Sequence, residues 1–141
     1  MRALAALALL AATGLCRAEP LKPTRLDAGG ERHYAGATQR DGMARILGDG
    51  ELHFQSDRPV VLKLAEVRIA NHEAVAARLG MTELVKMIDM SRYCAVEVRA
   101  TLRLDDVIVG PESAWMSARA SVVKQGSTAQ LRGCEKESGA G

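Results

Sequence analysis

The sequence predicts a small α+β domain in which short strands surround one main helix. Residues 60–69 and 94–104 alternate apolar and polar side chains, as strands do when one face is buried. Between these two segments, after Asn71, the apolar spacing changes to that of a helix. The change of period within a short stretch is the main evidence for the fold class.

The first strand and the helix form one unit over residues 59–93. The apolar positions of residues 60–69 change phase midway, so the strand is expected to change faces or to carry a bulge. Asn71 is expected to cap the helix, and Glu73 lies in its first turn, where a carboxylate complements the helix dipole. The helix is expected to bury one stripe of side chains: Ala77, Met81, Leu84 and Ile88.

Residues 1–18 are expected to be a secretory signal peptide. Arg2 supplies the charged start, residues 3–12 the apolar stretch, and Cys16 begins a small-x-small cleavage site. The apolar run is too short to cross a bilayer as a helix. Lipidation of Cys16 would anchor the chain, but Leu15 precedes it where such sites carry Gly or Ala. A periplasmic or secreted protein without a lipid anchor is therefore favoured.

Removal of the signal leaves a nearly neutral chain. The sequence contains 19 Lys and Arg against 17 Asp and Glu, and Arg2 and Arg17 leave with the signal. A neutral domain lacks the positive field of general nucleic-acid or anionic-membrane binders. One Trp, two Tyr and one Phe also leave few rings on which single-stranded bases could stack. The composition therefore carries no strong nucleic-acid signature, although a local basic patch is compatible with it.

Cleavage also leaves two cysteines, Cys94 and Cys134. In an exported protein such a pair predicts one disulfide. The bridge would close a loop of about 40 residues, which contributes roughly 4 kcal/mol in the chain-entropy description. It would tie the C-terminal segment to the strand after the helix. The alternative, a redox or metal site with free thiols, lacks a CxxC or Cys/His spacing.

The remaining chain is expected to divide into three parts. Residues 19–42 hold two prolines and four glycines among many charges, which predicts an extended or disordered lead-in. Residues 43–134 are expected to form the domain, and residues 135–141 a solvated tail. The length of 123 residues after cleavage suits a single core.

Turn signals divide the domain into short strands. Gly48-Asp49-Gly50 predicts a hairpin, and residues 56–59 predict a second turn before the 60–69 strand. After the 94–104 strand, Asp105-Asp106 is a candidate turn that would lead into a short returning strand at residues 107–109.

Residues 112–126 fit two structures. Pro111 and Gly126 are good start and stop signals, which favours a short second helix. Such a helix would bury Trp115, Ala118 and Val122. A strand would instead bury alternate residues: Met116, Ala118, Ala120 and Val122.

Three strands, a helix, two strands and a helix is an order compatible with a small Greek-key β-barrel of the OB type. Segments between residues 43 and 130 also resemble, in the right order, the staphylococcal-nuclease or thermonuclease-like family. These segments are ARILGDGELHF, VVLKLAEVRIANHE, the helix, CAVEV and VVKQGSTA. That family carries an Asp-Gly-Asp-Thr strand, a Val-Arg-Leu-x-Gly-Ile-Asp-x-Pro-Glu strand and a later helix ending in Val-Arg-Gln-Gly. The resemblance implies a barrel and metal-dependent phosphodiester hydrolysis.

Few catalytic positions of that family are retained. Its metal-binding Asp-Gly-Asp falls on Asp49-Gly50-Glu51, which keeps two carboxylates for an ion such as Ca²⁺. Its first phosphate-binding arginine falls on Lys63 or Ala65, depending on register. The segment with its second arginine has no counterpart, because the link from residue 100 to residue 107 is too short. The resemblance therefore implies a degenerate site.

The register also decides which residues replace the acidic ligand and the general base. With Lys63 at the arginine position, these roles fall on Arg68 and Asn71. With Ala65 there, they fall on Ala70 and Glu73. Neither register restores the complete set of groups that phosphodiester hydrolysis requires.

Three functional hypotheses follow. The first is an exported, non-catalytic binding module without a cofactor, which holds a partner protein or a polymer on the barrel face. The second is a metal-dependent nuclease with a rebuilt site, in which Glu51, Lys63 and Glu73 act catalytically and Asp49 and Glu51 bind Ca²⁺. The third is an inhibitor or accessory protein of the cell envelope. Trp115 is expected to anchor the core or to mark a binding groove.

Overall fold

The computed structural model describes residues 20–89 and 92–134. Within these ranges the chain is mostly β-sheet with two short helices, which confirms the predicted α+β class. No helix in the described ranges is long and apolar enough to span a bilayer. The predicted signal peptide at residues 1–18 and the predicted tail at residues 135–141 lie outside the described residues.

Seven strands belong to one sheet: β1 (Lys22–Leu26), β2 (Arg32–Ile46), β3 (Leu52–Ser56), β4 (Glu66–Ile69), β5 (Tyr93–Val109), β6 (Met116–Gln125) and β7 (Gln130–Gly133). Helices α1 (His72–Arg78) and α2 (Thr82–Val85) lie in the connection from β4 to β5, and a 3₁₀ turn spans Pro111–Ser113.

The strand order is β1-β2-β3-β4-β6-β5-β7, and β2 also pairs with β5. Strands β4 and β6 run parallel, and the other pairs are antiparallel. The inward side chains form one apolar cluster. Helix α1 contributes Val75 to it, and Leu79, which directly follows the helix, also belongs to it. Its largest fully buried members include Phe54, Ile46, Leu52, Ile69, Leu102 and Leu104.

Ordered strands occupy most of the segment for which the sequence predicts an extended or disordered lead-in. β1 and the first part of β2 lie within residues 20–42, and β2 passes through residue 43 without interruption. Every residue of β1 is exposed, so its sequence carries no buried alternation. Gly42 is inward and packs so closely that a Cβ atom would lie 2.2 Å from the Gln55 carbonyl oxygen. Pairing with later strands, rather than local pattern, explains the order of this segment.

The strand predicted over residues 60–69 is shorter than expected, because β4 begins at Glu66. Val61 bridges Leu64 across a tight turn, in which the Leu64 N–H donates to the Val61 carbonyl at 2.9 Å. Leu62 adopts a left-handed φ of 56° within it. The phase change in the sequence therefore marks a turn, and the predicted bulge or change of faces is wrong.

The single helix predicted after Asn71 is broken into α1 and α2. Gly80 interrupts it with a φ of +74°, a conformation that glycine adopts without strain. The predicted stripe is only partly correct, since Met81 is fully buried whereas Ala77 is exposed. The predicted stripe did not include Val75, which is a residue that α1 buries.

Asn71 precedes α1, but its side chain makes no capping hydrogen bond. Its amide nitrogen donates to the Ala120 carbonyl at 2.8 Å, and its amide oxygen accepts the Ala120 N–H at 2.9 Å. Instead of capping the helix, the Asn71 side chain therefore makes two long-range hydrogen bonds that fix the start of α1 to β6.

β5 continues through the turn predicted at Asp105-Asp106. Asp106 has a φ of 49°, and the register with β6 shifts between Asp105 and Ile108, which is a β-bulge. The buried residues change from even to odd numbers at this point, from Leu104 to Val107. The predicted turn is wrong because a bulge makes the same phase change without ending the strand.

The second helix predicted over residues 112–126 is also wrong. Pro111 starts only a 3₁₀ turn, and β6 follows from Met116. Met116, Ala118 and Ala120 are buried, as expected for the alternative strand. Pairing with β4 on one side and β5 on the other decides between two patterns that the small residues allow equally.

The predicted disulfide is confirmed between Cys94 at the start of β5 and Cys134 after β7. Nearby, the Glu97 carboxylate accepts a hydrogen bond from Arg132 Nε of β7 at 2.8 Å and pairs with Arg45 of β2. Burial raises the pKa of Glu97, but the Arg132 hydrogen bond and the Arg45 charge lower it below its usual range. A covalent bond and an ion pair thus hold β7 against β5.

Replacement of both cysteines, C94S/C134S, is expected to lower the free energy of unfolding by about 4 kcal/mol, because the loop they close is long. The separation along the chain is 40 residues. Urea unfolding measures the change. A reductant should shift the midpoint of the parent protein and leave that of the variant in place. Equal midpoints for parent and variant without reductant would contradict the expectation.

Glu97→Gln is expected to destabilise the protein by about 1–3 kcal/mol at neutral pH, because the hydrogen bonds lose their charge. A carboxyl whose folded pKa is depressed stabilises the fold above its unfolded pKa and loses that effect as pH falls through its folded pKa. The difference between parent and variant should therefore shrink in acid. Urea unfolding from pH 7 to pH 3 tests this, and a difference that is constant with pH would refute it. Asp57 and Asp27, whose pKa values are also lowered, are present in both proteins and cancel.

Candidate ligand-binding cleft

A recessed cleft lies on the outer face of β3 and β4. The strand pattern places it there, because Leu52, Phe54 and Ser56 point inward and leave His53 and Gln55 outward. On β4, Val67 and Ile69 are buried, which leaves Glu66 and Arg68 outward. Two flanking segments complete the walls, residues 63–65 before β4 and residues 114–116 at the start of β6. We call this recess the β3–β4 cleft.

The strand register sets the polar side chains of the cleft beside one another. His53 lies opposite Arg68, and Gln55 lies opposite Glu66. Directly opposed side chains on one face of an antiparallel pair approach closely enough to interact. The floor of the cleft is therefore a compact array of an imidazole, an amide, a carboxylate and a guanidinium.

The charged groups of the cleft are balanced. His53 Nδ1 lies 3.4 Å from Glu66 Oε2, and its Nε2 lies 3.7 Å from Glu51 Oε1. Arg68 Nε lies 3.6 Å from the same Glu51 oxygen. These partly exposed pairs add little stability. Their consequence is that alternating acids and bases line the surface without a strong field of either sign.

Trp115 lines one wall of the cleft and is half-buried. Its ring packs on Gly110, where a Cβ atom would lie 2.3 Å from the indole Cε2. The Gly110 N–H also donates to the Trp115 carbonyl at 2.8 Å, across the short 3₁₀ turn. The indole is therefore held in place by a close approach that only glycine permits.

Ligands for a divalent cation converge at one end of the cleft. Single donor atoms of Asp49, Glu51 and His53 all lie within 4.8 Å of one another. Asp49 Oδ1 already accepts the Glu51 N–H at 3.0 Å, which shapes the turn between β2 and β3. These three residues could hold an ion on oxygen and imidazole ligands. His53 is the member that sequence reasoning missed, although its position two residues after Glu51 on a strand places both on one face.

A second such group contains Asp27, Glu31 and His33. Asp27 Oδ1 accepts N–H groups of Gly29 and Glu31, both at 3.0 Å, and its Oδ2 lies 3.3 Å from His33 Nε2. The carboxylate of Asp27 thus closes the turn between β1 and β2.

The residues implied by the nuclease resemblance separate into two places. Asp49 and Glu51 lie together, and Lys63 lines the same cleft. Glu73 is exposed in the first turn of α1 and is not part of the lining. Of the residues that the Lys63 register assigns as acidic ligand and base, Arg68 lies in the cleft, whereas the Asn71 side chain is bound to the Ala120 carbonyl of β6.

No family model, no curated protein and no solved structure matches this chain.

Gly110→Ala is expected to displace the indole of Trp115, because the new methyl group overlaps the ring, and to cost about 1–3 kcal/mol of stability. Near-ultraviolet circular dichroism and thermal unfolding measure both effects. Gly29→Ala is the matched control, since its Cβ would meet its nearest atom at 3.6 Å, an ordinary contact. Identical spectra and unfolding temperatures for the two variants would show that the close packing does not position the indole.

Proposed function

We propose that the protein is an exported, non-catalytic binding module that holds a hydroxyl-rich polymer, an oligosaccharide, in the β3–β4 cleft. The observation that carries this proposal is the pairing of polar side chains beside the lone tryptophan of the sequence. Sugars combine hydroxyl groups with flat C–H faces, so they need hydrogen-bond donors and acceptors next to one aromatic ring. The cleft supplies both, with Gln55, Glu66 and Arg68 on its floor and Trp115 in its wall.

The proposed framework is an OB-type barrel. In support of it, pairing passes from β2 through β3, β4, β6 and β5 and returns to β2, with the helices between β4 and β5. OB folds bind oligonucleotides and oligosaccharides on the face of their second and third strands and on the adjoining loops. If β2 is the first barrel strand, that face is the one formed by β3 and β4. The cleft thus lies on the face that OB folds generally use to bind their ligands.

Electrostatics favour a neutral polymer over a nucleic acid. Polyanion binders owe their affinity to basic side chains that neutralise phosphates. In the cleft, however, the Arg68 and His53 side chains face Glu51 and Glu66 at short distances. The sequence also has a single Trp, whereas single-strand binders stack successive bases on several rings.

If the domain is thermonuclease-like, as we propose, the groups that it lacks explain why it would not cleave phosphodiesters. The structure keeps Asp49 and Glu51 together, but β5 is continuous from Tyr93 to Val109 and has no insertion for a second catalytic arginine. Export is supported by the predicted signal peptide and by the Cys94–Cys134 disulfide, which suits an oxidising compartment.

A metal-dependent nuclease with a rebuilt site is the second candidate. One observation favours it: Asp49, Glu51 and His53 converge at the end of a cleft that Lys63 also lines. A Ca²⁺ ion held by these residues would supply the electrophile, and Lys63 would supply positive charge for a phosphate oxygen.

Fluorescence of the single Trp provides the direct test of the binding proposal. Titration of the oxidised protein with chito-oligosaccharides, cello-oligosaccharides and peptidoglycan fragments should give a saturable change with at least one of them. Arg68→Gln should weaken that binding by about tenfold, equivalent to about 1.4 kcal/mol. Arg103→Gln is the matched control, since Arg103 pairs with Asp105 on β5, away from the cleft.

Two outcomes would overturn the proposal. The first is a lack of saturable binding to every glycan by the folded protein. The second is hydrolysis of single-stranded DNA or RNA that requires Ca²⁺ and disappears in Glu51→Ala, which would establish the nuclease instead.

A further inference from the structure

A second recess lies on the other side of β6 from the cleft, on the outer face of β1, β2, β5 and β6. Strand register brings its side chains into one row. Arg25 of β1 is opposite His33 of β2, His33 is opposite Ile108 of β5, and Ile108 is opposite Ser117 of β6. Arg119 follows Ser117 by two residues and therefore shares its face of the strand. The recess shares no lining residue with the β3–β4 cleft.

Irregularities in three ladders occur at this recess. The β1–β2 register shifts between Pro23 and Arg25, the β2–β5 register between Tyr34 and Ala37, and the β5–β6 register between Asp105 and Ile108. A bulge re-aims the side chains next to it and bends its strand. All three ladders that form the recess therefore carry a backbone irregularity at or beside its lining residues.

The two arginines of the recess differ from five others in the described residues, which pair with carboxylates. Arg45, Arg68, Arg99, Arg103 and Arg132 each lie within an ion pair with a carboxylate. Among the described residues, neither Arg25 nor Arg119 has a hydrogen bond or ion pair to its guanidinium, and both are exposed. Two guanidiniums with all their donors available thus line one recess.

The other polar groups of the recess include donors and carboxylates. The hydroxyls of Tyr34 and Ser117 have no hydrogen-bond partner within the described ranges. His33 lies 3.3 Å from the Asp27 carboxylate, which also accepts two backbone N–H groups and pairs with no arginine in the described ranges. Asp106 is the one carboxylate among the lining residues that the structure describes. Asp106 and Asp27 together balance the two guanidiniums in number, but neither carboxylate is paired with Arg25 or Arg119.

We infer that this recess binds a tetrahedral oxyanion, of the class of a phosphate or a phosphomonoester group. Guanidinium forks match the oxygens of such an anion in pairs, and hydroxyl groups can donate to the remaining ones. Arg25 on β1 and Arg119 on β6 provide the forks from the two ends of the recess, and Ser117 provides a hydroxyl beside Arg119. An anion gains charge-assisted hydrogen bonds from unpaired guanidiniums that a neutral glycan does not, so the recess differs in its chemistry from the cleft, where Arg68 lies beside a carboxylate.

The test is titration of the oxidised protein with inorganic phosphate and, separately, with glycerol phosphate, in a phosphate-free buffer of low ionic strength. Calorimetry gives the affinity, and ¹H–¹⁵N spectra of the arginine side chains give the location. Saturable binding is expected, with shifts of the Arg25 and Arg119 Nε–H signals. Arg25→Gln and Arg119→Gln should each weaken binding by about tenfold, and Asp106→Asn should strengthen it several-fold because it removes a like charge.

Arg58→Gln is the matched control, because Arg58 is an exposed arginine without an ion pair among the described residues and lies outside the recess. Equal weakening by Arg58→Gln would mean a general charge effect and would overturn the inference. Absence of saturable binding, or binding without shifts of the two arginines, would do the same. Tighter binding of glycerol phosphate than of phosphate would identify an esterified group as the ligand, whereas the reverse would identify the free anion. Neither result bears on glycan binding in the cleft.

Discussion

The pairing of β2 with β5 determines which side chains the rest of the sheet buries. It extends from Arg32 opposite Val109 to Ile46 opposite Val96, and β1, β3, β6 and β7 each pair with one of these two strands. Because side chains alternate along a strand, a slip of one residue would exchange the buried and exposed faces. The outward direction of His53 and Gln55 on β3, and of Ser117 on β6, therefore depends on this register. Near one end, the disulfide and the Glu97 ion pairs hold β7 against β5 as well.

The sequence interrupts its alternation of apolar and polar residues at two places, and each marks a change in the path of the backbone. At residues 61–64 the break is a turn, and at Asp105-Asp106 it is a bulge inside a continuous strand. Both move the apolar positions of the sequence from one parity to the other, so the sequence reveals that a break exists and not whether it is a turn or a bulge. Whether such a break is a turn or a bulge depends on the strands that pair with the segment. β5 has partners on both sides of its bulge, whereas residues 61–64 pair only with themselves in the part of the chain that the structure describes.

The α+β class, the hairpin at Gly48-Asp49-Gly50 and the disulfide could be predicted because each rests on local pattern or on simple cysteine pairing. β6 could not, since Met116, Ala118 and Ala120 suit a helix or a strand, and its two partner strands decide. Asn71 shows the same limit: its residue type suits a helix cap, but its partner Ala120 lies 49 positions along the chain. In the site, the alternation of the sequence predicts which polar residues of β3 and β4 face outward. It does not predict which of them lie opposite one another, because that depends on the pairing of the two strands.

Net charge is a poor guide to what this surface can bind, because the pairing of charges differs from place to place. In the β3–β4 cleft, Arg68 and His53 face carboxylates and the local field is weak. Across β6, Arg25 and Arg119 face the recess without such partners. A nearly neutral total does not favour a long polyanion, which must be neutralised over many contacts. It does not exclude a compact anion, which needs only two forks at the right separation. If both proposals hold, the outer surface on the two sides of β6 serves ligands of different charge within one small sheet.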